Sequence, residues 1–157
     1  MLRDAHLGSI WEGTGNIVAL DALTRAVGRH GAEAALLAEL HAKLDDVPNP
    51  WSDRLRGLVD RAVGFARLVA GDARHEADAR KATSTLYHIA SAVTLAWEGT
   101  QIHAARGDAR RLLLSKLVVD QRLTPADPFG LATSTDIADA ILAGQPVPMA
   151  EAAQLLL

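Results

Sequence analysis

The sequence predicts an all-α protein, an antiparallel helical bundle of about four to six helices. Hydrophobic residues make up 49% of its 157 positions, yet aromatic residues are only 4%. The apolar bulk is therefore Ala and Leu, both strong helix formers. Apolar residues also recur at three- and four-residue steps through most of the chain. Gly and Pro clusters interrupt that period at short intervals, which suits helices joined by short turns.

Met1 to about Thr14 reads as an entry segment, punctuated by Gly8 and Gly13. Thr14 is a candidate N-cap for a first helix with Ile17, Leu20, Leu23 and Val27 on one face, ending at Gly28 and Gly31. A second helix spans about Ala32 to Leu44, with Leu36, Leu37, Leu40 and Leu44 as its apolar face. The Pro48-Asn49-Pro50 turn stops it. Ser52 is the expected cap of a third helix, whose stripe runs from Leu55 through Val59, Ala62 and Ala66 to Ala70. Its period fades between Gly71 and Ala79. The fourth helix, about Ala79 to Ala105, has the widest apolar face, including Leu86, Ile89, Val93, Ala96 and Trp97. Gly107-Asp108 breaks it, and a fifth helix follows from Ala109 to Gln121. In the tail, Ser134 is a candidate cap for a short helix over Thr135 to Ala143, before the apolar end MAEAAQLLL.

The chain has no cysteine, which excludes disulfides, thiolate catalysis and cysteine-rich zinc sites. The six histidines, at 6, 30, 41, 75, 88 and 103, form no metal-binding spacing. His88 reads as a core or boundary residue. No signal-peptide pattern opens the sequence, and the longest uncharged run, Ala82 to Trp97, is too short and polar to span a bilayer. A cytoplasmic protein without membrane partners is expected. The net charge is −3, yet Trp51 to Arg122 carries twelve basic against eight acidic side chains.

The segment with chemical content is Arg3-Asp4-Ala5-His6-Leu7-Gly8-Ser9-Ile10-Trp11-Glu12-Gly13-Thr14-Gly15-Asn16-Ile17. It places one carboxylate immediately before a Gly-Thr-Gly turn and a helix start. Glycines let a ligand approach the backbone closely, and free N–H groups of a first helical turn suit an anion. Flanked by Ile10 and Trp11, Glu12 can be desolvated, which raises its pKa toward that of a useful base. On local chemistry alone the same residues describe better a Glu favoured at a helix start by the macrodipole.

The run Ile10-Trp11-Glu12-Gly13-Thr14-Gly15-Asn16-Ile17, preceded by Arg3-Asp4, resembles the aromatic-Glu-Gly-Thr segment of acyl-CoA dehydrogenases. With Leu20-Asp21-Ala22-Leu23 after it, it is most similar to the branch that includes the DNA-alkylation-response flavoproteins. The specific likeness covers about 25 residues. It implies that Glu12 is the base for the α-proton of an acyl-CoA thioester, while the β-hydride goes to FAD. It places Gly13 and Trp11 against the substrate, Trp11 narrowing or reshaping the acyl pocket, and Thr14, Gly15 and Asn16 against FAD. Trp97-Glu98-Gly99-Thr100 repeats the tetrapeptide inside a helical pattern and reads as coincidence.

The resemblance implies three parts: residues 1–30 as motif segment and first helix of a catalytic C-terminal domain, 31–125 as a helical extension, and 126–157 as a tail. A whole dehydrogenase also needs an N-terminal helical domain and a middle β-domain, for which 157 residues leave no room. The expectation is thus a C-terminal piece of an FAD-dependent acyl-CoA dehydrogenase-like protein, inactive and without FAD when isolated. The parent would be a homo-oligomer. The alternative is a helical binding or oligomerisation module. DNA is one conceivable partner, because that branch associates its extra helices with duplex binding. The basic series Arg54, Arg56, Arg61, Arg67, Arg74, Arg80, Lys81 is interleaved with acids, however, and reads better as a solvated helix face.

Overall fold

The computed structural model describes residues 15–125 and 135–156. They form seven helices packed against each other, and no strand occurs among the described residues. The helices are α1 (Gly15–Asp21), α2 (Ala32–Leu44), α3 (Trp51–Gly71), α4 (Ala79–Arg106), α5 (Arg110–Val118), α6 (Asp136–Leu142) and α7 (Met149–Leu156). Two π-helical segments prolong α1 (Ala22–Arg29) and α5 (Val119–Leu123), and a 3-10 turn, Ala73–Asp78, joins α3 to α4.

The periodic faces are the buried faces. Leu55, Val59, Ala62, Val63, Ala66 and Val69 turn inward from α3, and Ile89, Ala92, Val93 and Ala96 do so from α4. Leu40 and Leu44 close over them from α2, and Leu112 and Leu113 from α5. All of these but Val63, Ala66 and Val69 belong to the larger of two apolar clusters. The smaller joins Leu23 to Ala66, Val69, Ala79 and Ala82, beneath the first helix.

The α4–α5 contact is the tightest in the fold. A Cβ at Gly99 would stand 2.7 Å from the Leu112 main-chain nitrogen, so only glycine admits α5 this closely. The repeated Trp-Glu-Gly-Thr is thus consumed by packing. Trp97 Nε1 donates to Asp46 Oδ2 at 3.1 Å, and Lys43 Nζ lies 4.2 Å from the Trp97 ring centroid. Glu98 pairs with Arg111, and the Thr100 hydroxyl donates to the Ala96 carbonyl.

Several local expectations change. Helix α3 starts at Trp51, so Ser52 is a buried first-turn residue and no cap; its hydroxyl bonds the Asn49 side chain. The Asn49-Pro50 peptide is cis. Trp51 itself is 2% exposed, and its indole N–H donates to the buried Ser115 hydroxyl at 3.1 Å. Ile17 does not join the buried face of the first helix: it is 61% exposed, and Ala19 and Leu23 point inward instead. The Thr24 hydroxyl donates to the Leu20 carbonyl at 2.9 Å, competing with the helix ladder where the π-helical segment begins. The proposed caps Thr14 and Ser134 lie outside the described residues.

The stretch where the apolar period fades is the 3-10 turn. It is capped by Asp72, whose carboxylate accepts the Arg74 N–H at 2.9 Å. The apolar end, to which no helix was assigned from sequence, forms α7. It buries Ala152 and Leu156 in the larger cluster. Its approach is fixed at Asp108. That carboxylate accepts the Arg110 N–H at 3.0 Å and the Val147 N–H at 3.1 Å, while Ala109 N donates to the Val147 carbonyl at 2.8 Å. The Val147 N–H holds the Asp108 carboxyl below the usual carboxylate range, against a smaller opposing effect of burial.

Candidate functional site

Of the residues singled out from sequence, Glu12, Trp11, Gly13 and Thr14 lie outside the described residues. Gly15 and Asn16 open α1, so the motif leads directly into a helix. The remainder of the site can be built from what surrounds that helix start.

Helix α1 is held on α4 and α3 by a thin apolar contact and one polar tie. Leu23 fits among Ala66, Val69, Ala79 and Ala82, with Leu20 and Val27 beside it. The Thr83 hydroxyl lies 3.3 Å from the Ala19 carbonyl and 3.0 Å from the Ala79 carbonyl. The backbone of Gly28 crosses close to α3, where a Cβ would lie 3.7 Å from the Ala70 carbonyl oxygen. This arrangement turns Asn16, Ile17 and Leu20 toward the 3-10 turn and the start of α4. An open hollow of about 350 Å³ remains between them and Glu76, Ala79 and Arg80.

The hollow has an apolar wall, one amide, one carboxylate and one guanidinium. At Gly15 a Cβ would meet nothing within 4 Å among the described residues. Toward FAD, which the resemblance implies, the hollow offers Asn16 and Arg80 as side-chain donors. A hollow this size is at the low end of what encloses a drug-sized ligand, and FAD is larger. The described residues do not enclose the whole cofactor. Ile17 and its neighbour Val18 are 61% and 51% exposed.

Elsewhere the polar side chains are mostly spent on one another. Arg54 pairs with Asp120, Arg56 with Asp45, Arg67 with Glu33 and Arg74 with Asp72. The Arg74 guanidinium holds the Asp72 carboxyl below its ordinary value. Arg61, Arg80 and Lys81 have no carboxylate partner among the described residues.

His41 joins a surface relay that its sequence spacing did not suggest. Arg56 Nη1 donates to its Nδ1 at 3.0 Å, which leaves Nε2–H to donate to Asp60 Oδ1 at 2.9 Å. Glu33 is 9% exposed and bonds Arg67 Nε at 3.1 Å through one oxygen, while Oε2 has no partner. Its only sequence signal was a first-turn position in α2. His88 is half-buried and touches the Tyr87 ring edge-on at 5.2 Å. Among the described residues no group of three His, Asp or Glu could hold a metal, and no helix is long and apolar enough to cross a membrane.

Comparison with known proteins returns no match: no family model, curated protein or solved structure is similar to this chain. The likeness of the Trp11–Asn16 segment to acyl-CoA dehydrogenases thus rests on its own residues.

Proposed function

We propose that this chain is the C-terminal helical part of an FAD-dependent acyl-CoA dehydrogenase-like protein and supplies its catalytic base, Glu12. The observation that carries the proposal is positional. The Glu-Gly-Thr-Gly-Asn run feeds a helix that starts at Gly15 beside an open hollow, which suits a carboxylate at a ligand-facing helix start. In this reading residues 1–30 carry the motif and first helix, 31–125 form an antiparallel bundle extension, and 126–157 form the tail. Bound FAD would accept the β-hydride of the acyl-CoA. The chain's own residues do the rest. The Glu12 carboxylate takes the α-proton, Gly13 and Trp11 border the acyl group, and Thr14, Gly15 and Asn16 border the cofactor. The parent is a homo-oligomer working in the cytoplasm, and the isolated chain purifies without flavin and is inactive.

The test uses the FAD-bearing protein that contains this segment. Glu12→Gln keeps the shape and removes the basicity. It should slow anaerobic flavin bleaching by acyl-CoA thioesters by about a hundred- to ten-thousand-fold, with FAD still bound. Equal rates in parent and variant would move the base elsewhere. A parent that no thioester bleaches would turn the proposal toward a helical binding module.

A further inference from the structure

A second hollow, of about 370 Å³, opens between α3, α4 and the end of the α5 extension. Its floor is Leu58, Phe65 and Leu123. Arg61 and Lys81 stand at its rim, and no acidic residue lines it among the described residues. Most other bases in this stretch are paired with carboxylates, but these two are not. Lys81 Nζ lies 5.6 Å from the Phe65 ring centroid, a contact with a ring face that leaves its charge uncompensated. Thr85 adds no competing anion: its hydroxyl donates to the Lys81 carbonyl at 2.8 Å.

Along α3 the lining residues follow in the order Leu58, Arg61, Phe65, each about one helical turn from the next, and Lys81 sits over Phe65. We propose that this hollow binds a medium-chain fatty carboxylate. The carboxylate sits between Arg61 and Lys81 beside Phe65, and the alkyl chain runs from there toward Leu58 and Leu123. Charge complementarity selects the anion, and the apolar floor selects the tail. A hollow of this volume accommodates a single chain of that size. The proposal is independent of Glu12 and FAD.

The probe is decanoate, titrated into the purified chain and followed by amide chemical shifts. Saturable shifts are expected at residues 58–65 and 81–85, with a Kd below about 1 mM. Acetate, which lacks the tail, and decyltrimethylammonium, which reverses the charge, should produce no saturable shift there at equal concentration. Arg61→Met and Lys81→Met together should weaken decanoate binding by at least about ten-fold. Both side chains are exposed, and circular dichroism checks that the variant keeps its helices. Absence of saturable decanoate shifts, equal binding of the cationic surfactant, or an unchanged Kd in the double variant would each overturn the proposal.

Discussion

The two apolar clusters differ in more than size. The larger gathers eighteen buried residues from five helices and the turns between them, among them Trp51, Ile89, Leu112 and Leu113. The smaller has five, and three of these are alanines. Burial free energy scales with apolar area removed from water, so the first helix is held far more weakly than α3, α4 and α5 hold one another. The motif enters the fold at this thin end. A segment set on a loosely held element can adjust to a ligand, whereas the thick end supplies the frame.

Five substitutions would break or sharpen that contrast. The largest effect belongs to Trp51→Ala. It empties a large site in the larger cluster and leaves the Ser115 hydroxyl without its indole donor. A loss of about 3–5 kcal/mol is expected, read from the urea midpoint and slope. Leu23→Ala should cost about 2–3 kcal/mol, near the low end for leucine. Its signature is local: amide exchange should accelerate over residues 15–29 and stay unchanged in α4 and α5. Equal acceleration in both would make the two clusters one cooperative unit.

Asp108→Asn is a smaller perturbation, about 1 kcal/mol, typical of losing a charged helix-start acceptor. The folded carboxyl titrates below its ordinary value of 3.8. Its contribution is therefore complete above that value and is lost as pH falls through the lower, folded pKa. The stability gap between parent and variant should be flat at neutral pH and close in strong acid. A gap that persists in acid would assign the effect to packing. The smallest effects are gains. Gly57 and Gly64 lie on the exposed face of α3, where a Cβ would meet nothing within 4 Å. Each Gly→Ala change should add about 0.8–1 kcal/mol, a melting-temperature rise of about 2–4 °C. Gly57 is beside the larger cluster and Gly64 beside the smaller. A gain in protection near residues 15–29 from Gly64→Ala alone would show that they open separately.

How far the sequence could be read follows from the same contrast. Where many apolar positions repeat, as in α2 and α4, the helix limits read from periodicity agree with the structure to within a residue or so. Where few do, local chemistry misleads. Ile17 fits the 3.6-residue stripe, but the first helix continues in π-helical form, and Ala19 and Leu23 bury instead. Ser52 has the residue type of a cap, but Trp51 starts the helix and Ser52 is buried in its first turn. Helix α7 is short, and its place depends on Asp108 reaching Val147, 39 residues away, which no local window contains. At the candidate site, the sequence supplied the motif and its helix start at Gly15. It could not supply Glu76 and Arg80 across the hollow, because they come from a turn and a helix far along the chain.

Gly99 works like a notch cut for one key. The backbone of α5 at Leu112 occupies the space where a side chain would be. Sliding α4 by one turn along its partner would bring Leu95 or His103 to that spot, and either would drive carbon into the Leu112 main chain. The ratchet motion by which packed helices often switch state is thus barred between these two. The two helices are thus locked in register with each other.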